Sequence, residues 1–113
     1  MGGMMKVKLS TKYLPEGWYD LVNRGVYADG SPALELWHDG QRDMRCTVCV
    51  GTHKPAERNV LIKDWSENEG LLKALTDAEV IEKVPVKVFR SHFVDVFECR
   101  LTDKALAGLG VLV

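Results

Sequence analysis

Two Asp-Gly pairs, Asp29-Gly30 and Asp39-Gly40, stand ten residues apart and bracket the segment Ala33-Leu34-Glu35-Leu36-Trp37-His38. Asp-Gly supplies the two positive-φ positions that a tight type I′ hairpin turn requires. The spacing predicts a three-stranded antiparallel meander running from Leu21 to Val50. Pro32 then opens a strand, where the missing N–H costs no ladder bond.

Around this meander the chain reads as one α+β domain. Residues 6–10 alternate polar and apolar and suit a short half-buried strand. Pro15-Glu16-Gly17 is a turn, and Val60-Leu61-Ile62 is the centre of a further strand over 59–63. A helix is expected from Asp64. Ser66 stands ready to cap its first turn, and Glu69 to complete a capping box. Leu71, Leu72, Leu75 and Ala78 share one helical face, Gly70 falls inside the first turn, and the helix closes near Glu79. Residues 84–89 and 93–101, rich in β-branched and aromatic side chains, predict a C-terminal strand pair with the second strand central. From Thr102 a turn of helix leads into an apolar tail, expected to pack on the domain or on a second copy. The fold expected is thus an antiparallel sheet with an N-terminal meander, one main helix packed on it and a C-terminal strand pair. Residues 1–5 form a flexible leader and residues 6–113 the domain.

Composition excludes several functions. The net charge is −1, from 15 basic and 16 acidic residues, so the chain as a whole lacks the cationic excess that drives counterion release from nucleic acid. No apolar run reaches the length of a membrane span, and no secretory signal opens the chain, which points to the cytoplasm. The three cysteines, Cys46, Cys49 and Cys99, are an odd number and do not suggest a disulfide framework. Cys46-Thr47-Val48-Cys49 has C-x-x-C spacing, and His53 and Cys99 complete an arithmetical zinc set. On a strand, however, residues three apart point to opposite faces, so the two thiols should diverge. No phosphate-binding glycine loop, dinucleotide fingerprint or zinc-protease motif is present.

The aromatic residues offer more. Trp18, Tyr19, Trp37 and Trp65 are large surfaces for a chain of 113 residues. Buried, they fill a core; exposed, they are typical interface anchors. A helix N-terminus also attracts anions, but Glu67 and Glu69 already place negative charge there.

The segment Val60-Leu61-Ile62-Lys63-Asp64-Trp65-Ser66-Glu67-Asn68-Glu69-Gly70-Leu71-Leu72 resembles a bacterial family of small uncharacterised proteins encoded on phages, plasmids and integrative elements. Their shared pattern runs from an N-terminal meander into an IKD-aromatic-SENEG-L segment, a short helix and a Ser-x-Phe-Val strand. The last of these is here Ser91-His92-Phe93-Val94, and the resemblance covers residues 30–101. The family pattern has Gly after Ser91, where this chain has His92. The resemblance implies no catalytic residues and no cofactor. It implies a non-enzymatic protein that binds a host protein or complex, of the anti-CRISPR or anti-restriction type. Trp37, His38, Trp65, Asn68 and His92 are the binding residues expected. Two alternatives stand beside it: a dimeric protein that sequesters a nucleotide or other small molecule, and a metal or thiol protein using Cys46, Cys49 and Cys99.

Overall fold

A computed structural model of the protein describes residues 4–51, 53–65 and 68–111. In chain order its elements are β1 (Met4–Leu9), β2 (Gly17–Val26), β3 (Pro32–His38), β4 (Gln41–Arg45), β5 (Asn59–Lys63), α1 (Leu71–Asp77), β6 (Lys87–Ser91), β7 (Val94–Arg100) and α2 (Asp103–Leu109). The strands form two antiparallel sheets, β1-β2-β3-β4 and β5-β7-β6. The α+β class is as expected, but two sheets replace the single one, and two seven-residue helices replace one main helix.

The meander has four strands because β1 joins it. Val7 pairs with Tyr19 and Met5 with Leu21, so the apolar positions of β1 continue the buried face of β2. Met4 and Met5, expected in a flexible leader, therefore belong to a strand; residues 1–3 lie outside the described residues. Asp39 (φ 51°) and Gly40 (φ 76°) form the expected two-residue turn between β3 and β4. At the other Asp-Gly pair only Gly30 has positive φ. There the loop is longer, and the Asp29 carboxylate accepts the Ser31 N–H at 2.9 Å as an Asx turn.

The third predicted meander strand was to reach Val50, yet β4 ends at Arg45. The Cys46 N–H still donates to Leu34 O at 2.9 Å. The chain then crosses to β5, where Val48 N–H donates to Leu61 O at 3.0 Å and Lys63 N–H to Cys46 O at 3.1 Å. Thr47 bridges Ile62, and residues 46–48 join the two sheets.

The helix start also differs. Gly70 is the N-cap residue, left-handed at φ 100°, and α1 begins after it rather than around it. The Asp64 carboxylate accepts the N–H groups of Gly70 (3.2 Å) and Leu72 (2.8 Å). The expected cap residue Ser66 lies, with Glu67, outside the described residues. At the far end the helix stops at Asp77, and Glu79 turns left-handed at φ 60°.

In the C-terminal pair the central place of β7 is as expected, but both strands begin late. Val84 to Val86 precede β6, and Phe93 is not in a strand. His92 (φ 51°) and Phe93 (φ 69°) form a two-residue turn with both positions left-handed. Thr102 caps α2, its hydroxyl accepting the Ala105 N–H at 3.0 Å, and Gly110 (φ 65°) ends it. Val111 packs on the core of the same chain; the last two residues lie outside the described ones.

The core lies between the helices and the inner faces of both sheets. Val7, Leu9, Leu21, Leu34 and Leu36 meet Val60, Ile62, Cys99 and Leu101, and all are sealed from solvent. Leu71 and Leu75 of α1, with Ala105 and Leu109 of α2, close the cluster. Each such Leu or Ile contributes about 1.5–3 kcal/mol by leaving water, which outweighs the weak intrinsic stability of seven-residue helices. No helix among the described residues is long and apolar enough to cross a membrane.

Candidate functional site

Strand alternation that buries Tyr19 and Leu21 of β2, with Leu34 and Leu36 of β3, turns their neighbours to the opposite face. Both helices pack on the buried side, α1 against β1 and β5 and α2 against β1 and β2. Among the described residues, neither helix lies on the outer face of the four-stranded sheet. Cross-strand register sets its residues in rows: Lys8 beside Trp18, then Lys6, Asp20, Trp37 and Arg42, then Val22, Glu35 and Arg45.

Glu35 is the centre of this face. It is 7% exposed, although it lies on the side of the sheet without a helix. Arginines cover it: Arg42 Nη1 lies 3.3 Å from one carboxylate oxygen, Arg45 Nε 3.8 Å from the same oxygen, and Arg24 Nε 3.6 Å from the other. Trp37 Nε1–H donates to Glu35 at 3.1 Å, and the Arg24 guanidinium lies 5.3 Å from the centre of the Trp37 ring. One carboxylate thus holds an indole and three guanidinium groups in place. Lys6 pairs with Asp20 at 2.5 Å, while Lys8 is exposed beside Trp18, itself 61% exposed. Among the described residues of this face, five cations (Lys6, Lys8, Arg24, Arg42 and Arg45) stand beside two carboxylates (Asp20 and Glu35). A positive surface with two indoles stands on a chain whose net charge is −1.

The expected binding residues are distributed over several elements. Trp37 belongs to the face just described. His38 follows it in β3 and is exposed, with Nδ1 3.5 Å from Asp39 and its ring 5.4 Å from that of Tyr19. Trp65 is half-buried between β5 and α1, with the Lys63 amine 6.0 Å from its ring. Asn68 is 1% exposed and donates to Arg45 O at 2.7 Å, so it is a structural tie. His92 is at the exposed tip of the β6–β7 hairpin. Asn68 N–H donates to Trp65 O at 3.0 Å, and no side-chain hydrogen bond, ion pair or ring contact between described residues joins any of the five to another. None of the three tryptophans is a buried core residue.

Trp18, one of the large aromatics the sequence singles out, is not among the five; the residues missed were Arg24, Glu35, Arg42 and Arg45. A local signal for one of them exists. A two-residue turn at Asp39-Gly40 fixes the pairing beside it and places Arg42 against Trp37, but a bulge between Trp37 and Leu36 then shifts the register by one, and only that shift brings Arg45 opposite Glu35.

Other chemistry-bearing groups serve the fold. Cys46 is buried and Cys49 exposed, and burial pushes both the Cys46 and the Cys99 thiols up, Cys99 to about 12. No group of three metal-binding side chains is found among the described residues. His53, the imagined third ligand, instead lies 2.7 Å from Glu98. A cleft of about 420 Å³ lies where Gly110 and Val111 meet the 25–32 and 54–59 loops. Its Arg58 is committed to Leu101 O (2.6 and 3.1 Å) and to Asp103 (2.8 Å), and its Asp29 to Ser31. Comparisons with protein-family models, curated proteins and solved structures give no match to the chain.

Proposed function

We propose that this protein is a non-enzymatic binding domain that docks a partner protein's acidic surface onto the outer face of its four-stranded sheet. The observation that carries the reading is the Glu35-centred cluster. A buried carboxylate on a face without a helix holds Trp37 and three arginines in place, so a partner need not immobilise them itself. Tryptophan and arginine are the residues most enriched among interface anchors, and Trp18 adds a second exposed indole. The charge excess on the face is small for a nucleic-acid groove, and the chain's net charge would not recruit a polyanion. The more specific reading, an inhibitor of a host defence system carried by a mobile element, is supported by the sequence resemblance alone.

The test is a pull-down from bacterial lysate with the wild-type chain, a Trp18→Ala/Arg42→Glu variant of the face, and a Lys73→Ala control on exposed α1. The expected result is a partner held by the wild type and the control, lost by the face variant and eluted at raised salt. Capture that ignores the face substitutions would overturn the reading. So would tight binding of a single-stranded oligonucleotide at physiological salt.

A further inference from the structure

Four of the most exposed large hydrophobics lie in the β6–β7 hairpin or the segment leading into it: Val84 (74%) and Val86 (58%) just before β6, Val88 (51%) in it and Phe93 (93%) at the tip. Strand β6 is an edge. It pairs with β7 on one side and with no described strand on the other. An edge of this kind presents unpaired backbone donors and acceptors, which an added strand satisfies. The tip beside it is strained. His92 and Phe93 both adopt left-handed backbone conformations, which a type I′ turn usually fills with Asn-Gly. That conformation holds a phenylalanine almost wholly in solvent.

We infer that β6 is a homodimer interface, in which two copies pair edge to edge and antiparallel about a two-fold axis at Val88. The register follows from self-complementarity. With Val88 opposite itself, Lys87 faces Phe89 of the second copy and Val86 faces Arg90, so no like charges stand opposite one another. The same register puts Val84 level with the tip of the second copy's hairpin, bringing Val84 and Phe93 together. Each apolar group then meets an apolar group or the stem of a long cation. The four side chains offer roughly 400–500 Å² of apolar surface per copy. A standard interface takes about 800 Å² from each partner, somewhat more than half of it apolar, so the hairpin supplies the apolar share. The two three-stranded sheets become one six-stranded sheet, and the Trp18–Trp37 face, on the other sheet, is not part of the pairing.

Sedimentation velocity of the wild-type chain over a range of concentrations tests this, together with Val88→Lys and Val88→Cys. The wild type is expected to sediment as a dimer at tens of micromolar. Val88→Lys places two cations on the axis and should give a monomer with an unchanged circular dichroism spectrum. Val88→Cys, in a Cys49→Ser background, should form a disulfide-linked dimer on mild oxidation, while Lys73→Cys in that background should not. A monomeric wild type at 100 μM overturns the proposal, as does a dimer that Val88→Lys leaves intact.

Discussion

His53 Nε2 lies 2.7 Å from Glu98 Oε1, fastening the loop that follows the sheet-joining segment to the central strand of the second sheet. The His53 ring also packs on Phe89, 4.3 Å between centres. The other Glu98 oxygen accepts Asn59 Nδ2–H at 2.7 Å and the Ala56 N–H at 3.1 Å. Burial pushes the Glu98 carboxyl up, but the hydrogen bonds from Asn59, His53 and Ala56 outweigh it and hold the group below its ordinary value.

A carboxyl lowered in the folded state contributes stability that is fully present above its unfolded value of about 4.3. That stability is lost as pH falls through the lower folded value. Thermal melts of the wild type should therefore weaken from about pH 4 downward. Glu98→Gln should cost about 1.5–3 kcal/mol at neutral pH, because a neutral amide loses the charge-assisted bonds and, with its oxygen kept toward Asn59 and Ala56, turns an NH2 toward His53 Nε2. The variant should also lose part of the acid-limb slope. Melting temperatures from pH 3 to 7 for both chains give the comparison, and parallel curves would show that Glu98 is not the group responsible.

The start of α1 depends on one side chain. Asp64 accepts two backbone N–H groups that the left-handed Gly70 aims at it. Asp64→Ala should destabilise the protein by about 1–2 kcal/mol in urea, the range for a lost N-cap acceptor. Asp64→Asn, which keeps an oxygen at the same reach, should cost clearly less. Equal losses in the two variants would mean that the charge, not the acceptor, matters.

These two ties show what the sequence makes legible. The Asp39-Gly40 turn is readable because its signal is complete within two residues, and the alternation on either side confirms it. Residues 46–48 are not readable in the same way. Cys46-Thr47-Val48 suits a strand in either sheet, and its choice depends on partners far along the chain. Thr47 Oγ1 accepts the Leu34 N–H at 3.1 Å and the Tyr27 hydroxyl donates to Thr47 O at 2.7 Å, which hold the crossing in place. At α1 the Ser66-to-Glu69 spacing matches a capping box, but the conformational freedom of Gly70 lets Asp64 serve from six residues away. The binding face shows the same division. Trp37 stands out by residue type, whereas Arg24 and Arg45 gain significance only when strand pairing stacks them over Glu35.

The thiols should divide by burial. Cys46 and Cys99 are sealed in the core, and burial raises both; neighbouring carboxylates, Glu35 for Cys46 and Glu98 with Asp64 for Cys99, add to the effect. Cys49 is exposed, its Sγ 3.6 Å from Asp29. An aromatic disulfide reagent at pH 8 should therefore consume one thiol quickly in the native protein and three after denaturation. Cys49→Ser should abolish the fast phase. Rapid reaction of two native thiols would show that the core around Cys46 or Cys99 opens readily.

The hairpin tip tests whether strain is retained for a purpose. A non-glycine residue in the left-handed region costs about 1–2 kcal/mol, and His92 and Phe93 are both held there. Phe93 recovers almost nothing through burial, and the visible support for the turn is the Arg90 Nη2–H bond to Phe93 O at 2.7 Å. His92→Asn with Phe93→Gly supplies the residues that the turn favours and keeps that backbone acceptor. The double variant should raise the intrinsic stability of the monomer by about 1–2 kcal/mol, read by urea unfolding in the Val88→Lys background where self-association is removed. In the wild-type background the same pair should weaken the dimer, since the tip loses its apolar group. A gain in monomer stability with a loss of self-association would identify Phe93 as a residue kept for contact at the expense of the fold. A loss of stability in the Val88→Lys background would mean that the turn depends on the native side chains, and that explanation of the strain would fail.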